Sequence, residues 1–272
     1  LTLLQAGPNI LRVLKFSQCR TISALSFTAL RKPYPLIRSV DLSYTPANQT
    51  TFEFVTEGCR NLVELNVCKC PEFDDTALAK LGVRCASLTN LNISQCIKVS
   101  DDGIVKFFEN FEGSLEILNV SSCVSLSGPS AIAISESASN IKVLKMNGIS
   151  KISSRELKKL WTKCLKIKVF EMGIDLKTTT SHRKSMVPHM SDEIVNSRCS
   201  EELEEVKLTG AILVTDIGAC QISLNCPNIL SIDLSYCNMI TDRFLFLLSL
   251  KSKQIRRLVL NGCPKITDEG VT

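Results

Sequence analysis

The sequence predicts an α/β solenoid of about ten stacked strand–turn–helix units, with a parallel sheet on the concave face of a horseshoe and helices on the convex face. Three observations carry this expectation. A nine-residue pattern, L-x-x-L-x-L-x-x-C, recurs: LVELNVCKC from Leu62 to Cys70, LTNLNISQC from Leu88 to Cys96, LEILNVSSC from Leu115 to Cys123, ILSIDLSYC from Ile229 to Cys237 and IRRLVLNGC from Ile255 to Cys263. Its last position falls at Cys19, Thr45, Cys70, Cys96, Cys123, Ile149, Asp175, Ala211, Cys237 and Cys263, in steps of 26, 25, 26, 27, 26, 26, 36, 26 and 26 residues. A second marker, an aliphatic residue followed by Ser or Thr and Asp, appears at Val99–Asp101, Val214–Asp216, Ile240–Asp242 and Ile266–Asp268.

Each part of the unit has a physical reading. The L-x-L alternation is a strand with one buried face. The Ser/Thr–Asp pair is a helix N-cap, because its side-chain oxygens accept first-turn N–H groups that have no partner within the helix. In the sixth unit Ser153 and Glu156 form a capping box, and Leu157, Leu160, Trp161 and Cys164 fall on one helix face. A strand and a helix in 26 residues cannot bury both apolar faces alone, whereas stacked neighbours can. Strands repeat every ~4.8 Å and helices are wider, so the stack curves with the sheet inside.

The cysteines follow the same register. Cys19, Cys70, Cys96, Cys123, Cys237 and Cys263 sit in the turn after the strand; Cys59, Cys85, Cys164, Cys199 and Cys226 sit at the helix end before the next strand. Only Cys68 and Cys220 fall outside both classes. Thirteen cysteines placed this way act as small buried hydrophobes rather than as a disulfide framework. That points to a reducing compartment: cytoplasmic, with nuclear or ciliary as alternatives.

The period, the turn cysteine and the I-T-D marker resemble the cysteine-containing leucine-rich repeats of the F-box/leucine-rich-repeat family over nearly all 272 residues. The resemblance implies a leucine-rich-repeat solenoid that holds a protein substrate, while a separate N-terminal F-box docks on the adaptor of a cullin ubiquitin ligase. No F-box is found in these residues. The alternative it implies is a structural subunit of a large assembly such as the ciliary axoneme. Thr45, Ile149, Asp175 and Ala211 replace the turn cysteine, so four units depart from the motif. Leu1 in place of Met, and Thr267–Thr272 as a helix only begun, lead to the expectation of one domain over residues 1–272, truncated at both ends.

The 36-residue step marks a polar, basic insertion at residues 176–189, expected as a surface loop. It carries His182 and His189, whose spacing from Cys199 fits no usual zinc pattern, so no metal and no cofactor is expected. Basic residues gather between Lys142 and Lys184, twelve against Glu156, Glu171 and Asp175. Within that run Lys151, Arg155, Lys158, Lys159, Lys163, Arg183 and Lys184 form a candidate basic patch for an acidic protein surface. Aromatic residues that would stack nucleic-acid bases are missing there apart from Trp161, which disfavours nucleic acid. The longest apolar run is too short to span a bilayer, so no membrane partner is expected.

Alternation names the concave face. Its central column runs Lys15, Asp41, Asn66, Asn92, Asn119, Lys145, Glu171, Lys207 and Asp233, flanked by residues such as Ser43, Ser94, Thr209 and Ser235. This column is the expected partner-binding site. It has no histidine to act as general base and no glycine-rich phosphate loop, so a non-catalytic binding module is expected. Cys68 is expected on the same face as an accessible thiol. The charged side chains at Lys145 and Lys207 are expected to point away from the core and to tolerate reversal.

Overall fold

The computed structural model describes residues 10–22, 34–174 and 190–272. Two compact units divide the chain, Leu1–Ala138 and Ser139–Thr272. In the first, strands β1 (Val13–Lys15), β2 (Ser39–Asp41), β3 (Glu64–Asn66), β4 (Asn90–Asn92) and β5 (Ile117–Asn119) pair in parallel in sequence order. Between and after them come α1 (Gln49–Gly58), α2 (Asp75–Arg84), α3 (Asp101–Asn110) and α4 (Gly128–Ser137). The second unit repeats the plan. Strands β6 (Val143–Lys145), β7 (Val169–Glu171), β8 (Glu205–Lys207), β9 (Ser231–Asp233) and β10 (Arg257–Val259) alternate with α5 (Ser154–Lys163), α6 (Asp192–Val195), α7 (Asp216–Asn225), α8 (Asp242–Lys251) and α9 (Asp268–Val271). The insertion at 176–189, with His182, His189, Arg183 and Lys184, lies outside the described residues.

The strand register is the one the sequence pattern implies: Leu14, Val40, Leu65, Leu91 and Leu118 turn inward in one unit and Leu144, Phe170, Val206 and Ile232 in the other, each at most 5% exposed. In α5, Leu157, Leu160 and Trp161 are buried on one face, and Ser153 and Glu156 close the capping box, with the Ser153 N–H donating to Glu156 Oε2 at 2.8 Å.

Within each unit, three sets of contacts tie repeats to their neighbours. The first uses sulfur. The thiols of Cys70, Cys96, Cys123, Cys237 and Cys263 donate to the carbonyls of Leu42, Val67, Ile93, Leu208 and Leu234 at 3.0–3.3 Å. Turn cysteines are thus donors as well as buried apolar groups, and burial pushes the thiols of Cys70, Cys123 and Cys237 up to about 11, 12 and 12. Cys59, Cys85, Cys164 and Cys226 are helix C-caps as expected. Cys199 departs from its class: α6 ends at Val195, capped by Asn196, so Cys199 is buried in the connection beyond the helix.

The second set lies in the turn. The residue before the turn position is left-handed in Gln18, Tyr44, Lys69, Gln95, Ser122 and Tyr236, and in Gly148, Gly210 and Gly262. A left-handed backbone strains a residue with a Cβ by about 1–2 kcal/mol. The return is a hydrogen bond to the following repeat, as from Lys69 N–H to Ser94 O at 2.8 Å and Tyr236 N–H to Asn261 O at 2.7 Å.

The third set corrects the reading of the Ser/Thr–Asp pair. The Ser or Thr does cap its own helix in places, with Thr215, Thr241 and Thr267 accepting from the N–H two residues on. The aspartate instead faces the next repeat. Asp75 accepts the N–H (2.8 Å) and hydroxyl (2.5 Å) of Ser100, Asp192 those of Thr215 (2.8 and 2.5 Å), Asp216 those of Thr241 (2.8 and 2.6 Å) and Asp242 those of Thr267 (2.8 and 2.6 Å). Asp101 does the same for Ser127 and adds Ser130. These five cap residues are therefore held by the carboxylate one repeat back, 23–26 residues earlier. Space for that carboxylate comes from a glycine in the next helix: a Cβ on Gly103 or Gly218 would meet Asp75 or Asp192 Oδ1 at 2.1 or 2.0 Å.

Two outcomes follow from these contacts. Gly103→Ala should lower stability by about 1–3 kcal/mol through the clash with Asp75. Combined with Asp75→Ala, the same change should cost clearly less than the sum of the two single variants, a coupling that urea unfolding of the four proteins measures. The second concerns the thiols. Cys19 is the half-buried turn cysteine, whereas the other twelve are buried. A disulfide reagent added to folded protein should label Cys19 first, with the remainder reacting only on unfolding, as peptide mass mapping would record.

Candidate protein-binding surface

One face of each sheet is covered by helices and the other is open. In the first unit the open face carries Lys15, Asp41, Asn66, Asn92 and Asn119 at equivalent register positions, and in the second Lys145, Glu171, Lys207 and Asp233. Every member of the expected column thus lies on the uncovered face of its unit. What these side chains do there differs by type.

Five of the nine carry a structural duty that the pattern did not announce. The Oδ1 atoms of Asp41, Asn66, Asn92, Asn119 and Asp233 accept the backbone N–H two residues on, from Ser43, Cys68, Ser94, Ser121 and Ser235, at 2.9–3.1 Å. These Asx turns bend the chain out of the strand and into the left-handed turn. The bend also buries flanking residues expected to be outward: Ser43, Ser94, Thr209 and Ser235 are 3–7% exposed. Cys68 meets the same fate and is a buried thiol, not the accessible one expected from alternation. A signal was available in the recurrence of Asp or Asn at this position in five of the strands.

In the first unit the open face forms a shallow depression of about 240 Å³ between Lys15, Asp41, Glu64, Asn66, Asn90 and Ile117. Polar groups on its floor are cross-linked between strands. Ser39 Oγ donates to Glu64 Oε2 at 3.0 Å and Asn66 Nδ2 to Asp41 Oδ2 at 3.1 Å. A surface held this way presents fixed donors and acceptors and loses little side-chain entropy on contact.

In the second unit Glu171 is the centre. It is 7% exposed, and its Oε1 receives both Lys207 Nζ at 2.8 Å and Lys145 Nζ at 3.0 Å. Its Oε2 accepts from Asn147 Nδ2 at 3.1 Å. Lys207 also reaches Glu205 at 3.0 Å, and Arg257 approaches the same carboxylate at 3.9 Å. Burial opposes ionisation of Glu171, but hydrogen bonds and charge from Lys207 and Lys145 outweigh it and hold its carboxyl below the ordinary range. Burial likewise opposes the charge on Lys207, and Glu171 and Glu205 overcome it, raising its pKa.

Of the basic patch, Arg155, Lys158, Lys159 and Lys163 lie on α5 and Lys151 just before it, while Arg183 and Lys184 lie outside the described residues. Arg155 and Lys163 are exposed on α5, Lys158 on the same helix pairs with Glu193 at 2.7 Å, and Lys151 is exposed in the connection before the helix. Lys145 belongs to the sheet face, and Lys168 pairs with Glu204 at 3.2 Å. Among the described residues no group of three or more His, Cys, Asp or Glu side chains could hold a metal ion, and no helix is long and apolar enough to cross a membrane.

With this geometry in place, the comparisons with known proteins agree on the architecture. A family model described as Leucine Rich repeat matches residues 225–243. A chain of the crystal structure of the Rad7 and Elc1 complex in yeast superposes with a TM-score of 0.56 at 14% identity, covering 97% of this chain and 79% of its own. The leucine-rich-repeat-containing protein LegL7 from Legionella pneumophila gives 0.57 at 15% identity, covering 94% and 85%. The fold is that of a leucine-rich-repeat solenoid. Such folds serve in general as protein-interaction modules, with the uncovered sheet as an extended binding surface.

The buried carboxylate makes two expected outcomes definite. Glu171 has a depressed pKa, so its contribution is present above the unfolded carboxyl value of ~4.3 and is lost as pH falls through the folded value. Thermal melts across pH 2–6 should show a steeper acid loss for the native chain than for Glu171→Gln. Reversing Lys145 and Lys207 to Glu, expected from alternation alone to be harmless, should instead destabilise the fold. Stranding a buried charge costs about 3–5 kcal/mol, and the charge stranded here is that of Glu171, whose side chain is 9% exposed.

Proposed function

We propose that this chain is a protein-binding scaffold and that it forms the substrate-recognition part of an F-box-type cullin ubiquitin ligase. The observation that carries the binding reading is the open sheet face, where polar side chains from consecutive strands are fixed by their neighbours and offer a rigid, mixed surface. The ligase assignment rests on the resemblance of the cysteine-containing repeats to those of F-box/leucine-rich-repeat proteins, in which the cullin adaptor is reached through an F-box outside the repeats. On this reading Lys15, Asp41, Asn66, Asn92, Asn119, Lys145, Glu171, Lys207 and Asp233 mark the partner surface, and the protein works in the cytoplasm or nucleus without a cofactor.

A second reading, a structural subunit of a large assembly such as the ciliary axoneme, is favoured by the exposed cations of α5. Arg155 and Lys163 suit an acidic neighbour docked on the helix side rather than the sheet side. The two readings separate by what co-purifies with the protein encoded by the complete reading frame: cullin-complex components support the first, axonemal fractions without them the second.

Position on the sheet is tested by obstruction. Asn90→Arg with Ile117→Arg in the first unit, or Val169→Arg in the second, should abolish capture of the co-purifying partner while surface-like stability changes stay within about 0.5 kcal/mol. Arg155→Gln with Lys163→Gln should leave capture unchanged. The reverse pattern would move the site to the helix face.

A further inference from the structure

The Lys145–Glu171–Lys207 triad is unusual for what is buried. A buried ion pair is weak evidence for stability, because desolvation offsets most of its attraction and an apolar replacement is often as stable. Its effect here is geometric. Both ammonium groups contact the same oxygen, Glu171 Oε1, from strands on either side of β7. Two like charges that would otherwise separate are held together, and a second carboxylate arriving from solvent meets both at once.

Depth decides which charges a partner encounters. The side chain of Glu171 is 9% exposed and its Oε2 is occupied by Asn147, whereas Lys145, Lys207 and Arg257 are 36%, 27% and 60% exposed. Glu205 already serves Lys207 and Arg257, and Asp233, on the neighbouring strand, has one oxygen committed to the Ser235 N–H. Glu205 is 28% exposed but engaged, Glu171 is sunk, and Lys145 and Arg257 are the most exposed charges of the group. Half-exposed Val143 and Val169 lie beside them to receive the methylene stem of an acidic side chain.

We propose that the open sheet face of the second unit is an acceptor site for an acidic polypeptide segment, with an Asp or Glu carboxylate of the partner bridging Lys145 and Lys207 and a further acidic residue meeting Arg257. This deepens the protein-binding reading and rests on it. Charge complementarity supplies the partner's chemistry. A nucleic acid is the poorer fit, because the outward strand positions of this face carry no aromatic ring on which a base could stack.

The test uses the whole chain and fluorescein-labelled decaglutamate as probe, followed by anisotropy at low and moderate salt. Removing both lysines alone would strand Glu171, so the informative variant is Lys145→Gln/Glu171→Gln/Lys207→Gln. It should bind the probe at least roughly tenfold more weakly, a loss typical of a buried charge contact. Glu171→Gln alone keeps both lysines, with an amide oxygen between them, and should lose clearly less than the triple variant, while Arg155→Gln/Lys163→Gln on the helix face should retain the probe. Circular dichroism melts establish that each variant is folded. Undiminished binding by the triple variant, equal loss in Glu171→Gln, or tighter binding of oligothymidylate than of decaglutamate would overturn the proposal. Those results would leave the protein-binding reading standing if capture of the native partner were still blocked by Val169→Arg.

Discussion

The structure depends on each aspartate at a helix start reaching forward to the cap of the next helix. Parallel strands of three residues have too few hydrogen bonds of their own to fix how repeats stack. The carboxylates of Asp75, Asp101, Asp192, Asp216 and Asp242 add a charge-assisted link at the opposite end of each unit from the sheet. Charge-assisted bonds of this kind are shorter and stronger than neutral ones. With the turn thiols and left-handed turns, these repeats are held to their neighbours within each unit at the strand exit and at the helix entry. Thr45 stands where most turns carry a cysteine, and its hydroxyl bonds to Leu42 O within its own repeat at 2.6 Å.

That arrangement explains why the open face is available for binding. Stability is supplied by the inward strand residues, the helices and the links between repeats, so the outward strand positions are released from packing. They are not all released equally. Where the outward residue is Asp or Asn it also shapes the turn, and altering it disturbs the fold before it disturbs recognition. The positions free of that duty and of the Glu171 ion pairs, such as Asn90, Ile117, Val143 and Val169, are where a partner can be specified at little structural cost.

Much of this was legible in the sequence. The steps near 26 residues located all ten strands, and alternation within L-x-L separated inward Leu65 and Val67 from outward Glu64 and Asn66. The capping box at Ser153 and Glu156 was readable because both partners lie within four residues. Contacts that span a repeat were harder to see. The Ser/Thr–Asp pair reads as a cap because caps are local, yet its aspartate acts 23–26 residues away, and the clue was the glycine at 103, 218 and 270 that makes room for it. Burial of Glu171 needs three strands side by side, so alternation alone placed it in solvent. The basic run from Lys142 to Lys184 includes Lys145 on the sheet face as well as the cations of α5, and alternation within β6 was what kept the two apart.

The most direct test of the forward-reaching aspartates is a carboxyl carbon NMR titration of the folded chain, following Asp101 in one unit and Asp242 in the other. Burial raises the pKa of Asp101, but hydrogen bonds from Ser127 and Ser130 outweigh it, and for Asp242 the Thr267 hydroxyl and N–H act with little burial to oppose them. Both should therefore titrate below the ordinary aspartate value of ~3.9, and Thr267→Ala should bring Asp242 back toward it. Ordinary titration of both carboxyls in the native chain would contradict the account, because the links that set the stacking of the repeats would then be absent.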